Sequence, residues 1–280
     1  MKNRTFANLS AAREGIEMLP IRSLISVFLV VPLFVHAESN YWSHIQELSK
    51  RSTPQGNPQL ETYLKSLTPS EMLQAARQYS QYAEKQFSEE NWEQALVDVD
   101  LALAFYGTEQ GGLADDRLDG LLKCLTDENE SRFLRESLAR LLRQRYWKHM
   151  TDTQRKKCKD IFFTVLVDKK AHGPLRALTC RELSLAIAEN HRDIILSDKN
   201  VRALRNDKDK WWNLDDLVRK GEVRLDPETR KALKTLQGEI EKITPTLTAL
   251  SQDAAESPEV KDRAKAALKT FAELPVAPKE

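Results

Sequence analysis

Histidine and cysteine are the side chains from which a catalytic or metal site in this 280-residue chain would first be sought. After residue 37 the histidines are His44, His149, His172 and His191, and no two of them have the H-E-x-x-H spacing of a zinc site. No C-x-x-C pair or C-x-x-C-H haem motif occurs. The stretch GTEQGG lacks the Lys-Ser/Thr pair of a phosphate loop, and there is no G-x-S-x-G elbow. The sequence therefore predicts no catalytic residue, no cofactor and no metal.

The remaining reactive side chains are predicted to be structural. Cys124, Cys158 and Cys180 lie in apolar or amphipathic stretches, which favours small buried residues. One disulfide is an alternative, and it would leave one thiol over. His191 is predicted at the surface, because neighbours at alternate helical positions point away from it.

A basic stretch runs across a predicted helix–turn–helix, with Tyr146 and Trp147 interleaved. Its members are Arg140, Arg143, Arg145, Lys148, Arg155, Lys156, Lys157 and Lys159. One interpretation is a site for an anionic partner such as an acidic glycan, a lipid headgroup or an acidic protein segment. The other is a solvated basic face, because charge runs usually face water.

Trp211 and Trp212 are adjacent in the charged stretch NDKDKWWNLDDLVRKGE. Adjacent residues on a helix cannot both face one core stripe, so at least one ring could be exposed. Exposed Trp is typical of binding hot spots. Contact with a partner and packing against a neighbouring helix pair are the two interpretations.

Residues 1–37 have the layout of a secretory signal with an N-terminal extension. Leu24 to Val35 is an apolar run of twelve residues broken only by Ser26 and Pro32. Val35 and Ala37 supply the small residues of a cleavage site, which predicts cleavage after Ala37 and a secreted or periplasmic protein. An uncleaved anchor and a buried helix are the alternatives, and Met18 is an alternative start.

The charge balance argues against polyanion binding by the whole molecule. The full chain has a net charge of +1, and removal of residues 1–37 leaves 39 basic and 40 acidic residues. We expect no nucleic-acid partner and, after cleavage, no stable membrane span.

The rest of the chain is predicted to be all-α. Only 9 Gly and 11 Pro are present, and the apolar residues recur with helical spacing. Thr68 and Thr151 begin capping boxes, while Asp226-Pro227 and Ser257-Pro258 mark two further helix starts. Helices are also predicted from Leu113 to Leu125, Ser131 to Trp147 and Pro174 to Ile195.

Three segments share one pattern with a period of about 42 residues. Asp127, Asp168 and Asp253 are each followed eight residues later by a basic residue: Arg135, Arg176 and Lys261. Apolar or small residues match on both sides of the basic residue. The pattern predicts pairs of antiparallel helices that bury their apolar faces by stacking on neighbouring pairs. The Asp and the basic residue could pair across the turn or between successive units.

These segments resemble the HEAT repeat. SPEVKDRAKAALKTF is the best copy, and the resemblance covers about residues 113–190 and 240–273. It implies an α-α superhelix, or α-solenoid, whose second helices line a concave interaction surface. Around Asp216 and Arg224 the spacing recurs, but Pro227 interrupts the second helix, so residues 200–245 are either a degenerate repeat or an insertion.

The segment 68–110 is similar to one tetratricopeptide repeat, through Tyr79, Tyr82, Ala83, Trp92, Ala95, Val99 and Ala102. A generic helical hairpin explains these positions equally well. The expected organisation is a signal (1–37), an N-terminal helix and linker (38–67), this hairpin (68–110), HEAT-like repeats (111–274) and a tail (275–280).

Three functional hypotheses follow. The first is an exported helical-repeat scaffold for protein–protein interaction, with another protein as its partner. The second is an exported enzyme or carbohydrate-active accessory protein whose site is assembled only in the fold. A structural protein of the envelope, without a discrete ligand, is a third.

Overall fold

A computed structural model describes residues 41–49, 58–86 and 113–274, and all regular structure in these ranges is helical. They contain twelve α-helices: α1 Tyr41–Ser49, α2 Pro58–Ser66, α3 Pro69–Gln86, α4 Asp115–Thr126, α5 Arg132–Leu141, α6 Asp152–Val167, α7 Gly173–Ser197, α8 Lys199–Ala203, α9 Lys208–Trp212, α10 Leu214–Arg219, α11 Pro227–Gln252 and α12 Pro258–Glu273. The prediction of an all-α helical-repeat fold is confirmed.

The helix starts follow the capping signals in the sequence. The Thr68 backbone N–H donates to Glu71 Oε2 at 2.7 Å, and the Glu71 N–H donates to Thr68 Oγ1 at 3.3 Å. The same reciprocal pair joins Thr151 and Gln154 at the start of α6. Each pair satisfies backbone donors that the first helical turn leaves without a partner.

The three aligned aspartates occupy equivalent corners between consecutive helices. Asp127, Asp168 and Asp253 are the C-caps of α4, α6 and α11. Each Oδ1 accepts the backbone N–H two residues later, at 2.9–3.0 Å. The next helix starts after a cap four residues beyond the Asp. The hydrogen bond from the backbone N–H lowers the pKa of Asp127 and Asp253.

At the first two corners, the basic residue has a different partner from the aspartate that was expected. Arg135 Nε donates to the Leu125 carbonyl at 2.9 Å, and Arg176 Nε donates to the Leu166 carbonyl at 2.8 Å. These carbonyls belong to the last turn of the preceding helix, where no intrahelical donor remains. The arginine therefore caps the first helix of its hairpin, and the Asp holds the turn.

The three hairpins are α4–α5, α6–α7 and α11–α12, and their second helices pack in a row. Helix α3 contacts α5, α5 contacts α7, and α7 contacts α12, while α4 contacts α6. The aligned residues Leu134, Leu175 and Val260 are fully buried in this row. One hydrophobic core runs from α1 to α12 and excludes most of the segment between α7 and α11.

That segment, residues 198–226, is an insertion with a second, smaller core, to which Ile195 of α7 and Leu233 of α11 also contribute. Short helices α8, α9 and α10 pack around Val201, Leu214, Val218, Val223 and Leu225. Asp216 lies inside α10, and Arg224 lies in the loop after it, so neither takes the corner position of a repeat. Pro227 begins α11 instead of interrupting a second helix.

Two local features differ from the sequence prediction. Residues 58–66, assigned to the linker, form helix α2 with Leu60 and Leu64 buried. The helix predicted to Trp147 loses α-geometry after Leu141 and continues as a π-helical turn, Leu142–Tyr146, and a 3₁₀ turn, Trp147–His149.

Three predicted segments lie outside the described residues: the signal segment, Trp92 to Ala102 of the tetratricopeptide-like hairpin, and the tail.

Within the described ranges, every helix is too short or too polar to cross a lipid bilayer.

Candidate functional site

The basic stretch links neighbouring helices through ion pairs. Lys157 Nζ lies 3.0 Å from Asp119 of α4, and Arg155 lies 3.7 Å from Asp193 of α7. Arg143 pairs with Glu189 of α7, and Lys159 pairs with Glu239 of α11. At least four of the eight cations therefore pair with carboxylates of adjacent helices. The stretch does not form one continuous positive surface.

Trp147, which the sequence placed among the basic residues, is buried between two of them. The guanidinium carbons of Arg143 and Arg155 lie 5.6 and 5.7 Å from its ring centroid. Both distances are within the range of a cation–π contact. The aromatic residue therefore positions these arginines toward the acidic side chains of α7, and it is not available to a ligand.

The structure contradicts the prediction for His191 and confirms the prediction for the three cysteines. His191 is 6% exposed, so its prediction as a surface residue is wrong. Its side chain is buried in the protein, while Glu189 and Asp193 on either side of it along α7 pair with Arg143 and Arg155. The three cysteines are buried free thiols, as predicted. Burial raises the pKa of Cys158 and of Cys180 to about 12, which keeps both thiols protonated and unreactive.

Two buried carboxylates lie along the packed second helices. Glu136 of α5 is 8% exposed, and burial raises its pKa to about 7. Glu182 of α7 is fully buried, and neither of its oxygens has a hydrogen-bond partner. Desolvation raises the pKa of Glu182, although arginines of α5, α7 and α12 oppose the shift.

A buried ion pair joins the second and third hairpins. Arg176 Nη1 and Nη2 donate to the two carboxylate oxygens of Glu256, each at 2.7 Å. Both side chains are 5% exposed. These hydrogen bonds lower the pKa of Glu256. At the corner between α6 and α7, the residue equivalent to Glu256 is Ala171. Arg135 therefore has no carboxylate at that position of the described chain with which to form the same pair.

The two tryptophans of the insertion differ in solvent exposure. Trp211 is half-buried against the small core of the insertion, whereas Trp212 is 84% exposed. The other large hydrophobic residues that are exposed in the described ranges, Val167 and Leu185, are 40% and 39% exposed. Trp212 is therefore far more accessible to a partner than they are.

The base of the insertion is closed by one buried carboxylate. Asp198 Oδ1 accepts the Asn200 and Val201 N–H groups, and Asp198 Oδ2 accepts the Asp226 N–H at 2.7 Å. Arg219 also donates to the Glu273 carbonyl at the end of α12, at 2.9 Å. These bonds fix the insertion to the hairpins that flank it.

A cleft of about 260 Å³ lies between α6, α7 and α11. Its apolar wall is Phe163, Leu183, Ile187 and Ile243. Its polar residues are Lys156, Lys159, Asp160, Glu239 and Lys242. It contains two residues of the basic stretch, Lys156 and Lys159, but none of the paired arginines.

The predicted interaction residues therefore lie in separate places. Arg143, Arg145 and Lys148 lie in the π-helical and 3₁₀ turns after α5, Lys156 borders the cleft, and the tryptophans belong to the insertion. Sequence reasoning missed Glu256, Asp198 and Glu182, which act across long sequence separations or through burial. In the described part of the chain, no three His, Cys, Asp or Glu side chains are grouped as a metal site.

Comparison of the chain with models of protein families, with curated proteins and with solved structures finds no match.

Proposed function

We propose that the protein is an exported helical-repeat scaffold that binds another protein, with Trp212 as an anchor of the contact. The exposure of Trp212 carries the proposal, because 84% of its surface faces solvent. A large amphipathic ring gains much free energy when a partner covers it, and interface hot spots are enriched in Trp.

The insertion supports this role by fixing the backbone that carries the ring. Trp212 ends α9, and the residue before it packs on the small core of the insertion. Asp198 closes the base of the insertion through both carboxylate oxygens. A side chain on a fixed element loses less conformational freedom on binding than one on a free loop.

The enzyme alternative has less support among the described residues. Most of the surface of the cleft is apolar, and its Glu239 is engaged by Lys159. Two acids, Asp160 and Glu239, line the cleft, but its lining includes no Ser, Cys or His that could act as a nucleophile or as its base.

Trp212→Ala is expected to weaken partner binding by about 30-fold or more, since a Trp hot spot is worth at least about 2 kcal/mol. The full chain would capture partners from a cell-envelope extract, and the affinity of each recovered protein would then be measured with the purified variant. Thermal stability should be unchanged because the ring makes little intramolecular contact.

The matched controls are Leu185→Ala on α7 and Trp211→Ala beside the anchor. Leu185→Ala should leave binding unchanged, and Trp211→Ala should lower the thermal midpoint through its contact with the small core. If Trp212→Ala binds every recovered protein as tightly as the parent chain, the anchor is refuted.

The export half of the proposal is supported by the apolar run from Leu24 to Val35. Expression of the full chain in a bacterium, with N-terminal sequencing of the periplasmic fraction, is expected to give a product that begins at Glu38. Replacement of Leu29 and Val30 by Asp should retain the chain in the cytoplasm. Recovery of intact Met1 or Met18 termini from the periplasm would contradict cleavage after Ala37.

A further inference from the structure

The cleft between α6, α7 and α11 arises where the stacking of first helices is interrupted. Helix α4 packs against α6, and α11 packs against α7 and α12. Helices α6 and α11, both described over their full length, make no comparable contact with each other. The insertion stands in the sequence where a further hairpin would begin, so the space beside α6 is only partly filled.

The walls of this cleft are suited to an apolar body. Leu183 and Ile187 are 3% and 1% exposed, and Phe163 and Ile243 are half-buried beside them. At a liquid-like volume of roughly 30 Å³ per non-hydrogen atom, the 260 Å³ cleft accommodates about nine such atoms. A small molecule fits this space, whereas a folded segment does not.

The charges at the cleft favour an anion. Lys159 and Glu239 both line the cleft, and although Lys159 is only 8% exposed, Glu239 accepts one of its hydrogen bonds there. An ammonium group carries three donors, so Lys159 can bind a second acceptor without releasing Glu239. Lys156 and Lys242 lie exposed at the rim, and three lysines outnumber the two acids, Asp160 and Glu239.

We propose that the cleft binds a small amphiphilic carboxylate with an apolar body of about eight carbons. The alkyl or aryl body packs against Phe163, Leu183, Ile187 and Ile243. The carboxylate accepts hydrogen bonds from Lys159 and, at the rim, from Lys156 or Lys242. This site is independent of Trp212, which belongs to the insertion, so each can fail without the other.

Octanoate is the probe, with octanol as the uncharged comparison, and binding to the full chain is measured by isothermal titration calorimetry. Octanoate is expected to bind one site with a Kd of about 0.1–1 mM, the range for roughly ten non-hydrogen atoms. Octanol should bind at least about fivefold more weakly, because it leaves the lysines without an anion.

Ile243→Trp should abolish octanoate binding by filling the cleft from its half-exposed side. Lys156→Gln with Lys242→Gln should weaken binding about three- to tenfold. The matched control, Lys231→Gln with Lys234→Gln, removes two exposed charges from α11 away from the cleft and should leave the Kd unchanged. Circular dichroism melting confirms that each variant is folded.

The proposal is overturned if octanoate shows no saturable binding, if Ile243→Trp binds it as the parent chain does, or if octanol binds equally well. Equal loss from both lysine pairs would also overturn it, because the effect would then be general attraction by net charge.

Discussion

Arg176→Met is expected to lower the free energy of unfolding by about 3–5 kcal/mol, the usual cost of breaking a buried ion pair from one side. The substitution leaves the Glu256 carboxylate buried without its two hydrogen-bond donors. It also removes the donor that Arg176 Nε supplies to the Leu166 carbonyl. Urea denaturation followed by circular dichroism measures the change.

Arg135→Met is the matched control for this substitution. Arg135 caps the Leu125 carbonyl in the same way, but among the described residues it has no hydrogen-bonded carboxylate partner. We expect a loss of about 1–3 kcal/mol, from one unsatisfied buried acceptor. The double variant Arg176→Met/Glu256→Met should recover part of the stability, because both charges are then gone. Equal losses for Arg176→Met and Arg135→Met would show that the ion pair contributes nothing.

Glu136→Gln is expected to raise the free energy of unfolding at pH 8 by up to about 3 kcal/mol and to have little effect near pH 4.5. Burial raises the pKa of Glu136 from an ordinary 4.5 to about 7 in the folded chain. Each pKa step corresponds to about 1.4 kcal/mol. Glutamine keeps the shape of the protonated carboxyl group and cannot ionise.

The direction of this pH dependence follows from proton binding. Between pH 4.5 and 7 the folded chain holds a proton on Glu136 that the unfolded chain has released. The contribution of Glu136 to stability is therefore fully present below pH 4.5 and falls as the pH rises to about 7. Denaturation at pH 4.5 and pH 8 tests this trend in the difference between variant and parent.

Glu222→Gln is the control for Glu136→Gln, because it removes one acidic residue from an exposed position after α10. Its difference from the parent should stay within about 0.5 kcal/mol at both pH values. A Glu136→Gln variant that is less stable than the parent at pH 8 would contradict the raised pKa.

The corners of the hairpins could be predicted because their signals are local. Each corner has an Asp that accepts a nearby N–H, a cap four residues later and apolar residues at helical spacing. All three signals lie within about fifteen residues of sequence. The caps at Thr68, Thr151, Asp226 and Ser257 were predicted for the same reason. The corners alone do not define a family, since similar corners can arise in any stacked hairpin.

The remaining contacts could not be predicted because they join residues that are far apart in sequence. Glu256 lies 80 residues from Arg176, and Glu239 lies 80 residues from Lys159, so single-sequence patterns carry no sign of either pair. The carboxylates that pair with the basic stretch were missed for the same reason. Without them, the sequence alone indicates one charged surface. Helix α2 was missed because the prolines and glycine of RSTPQGNPQ favour a linker, whereas a proline such as Pro58 is well tolerated in the first helical turn.

The 80-residue separation within the Arg176–Glu256 pair has a consequence for how the chain is made. The ribosome synthesises α7 long before Glu256. The Arg176 guanidinium and the apolar side of α7 that packs against α12 therefore remain exposed until α12 has been made. Folding can be completed only when the last part of the chain has emerged. Products of premature termination in α11 would expose that side of α7 permanently, and they should be preferred substrates for chaperones and proteases.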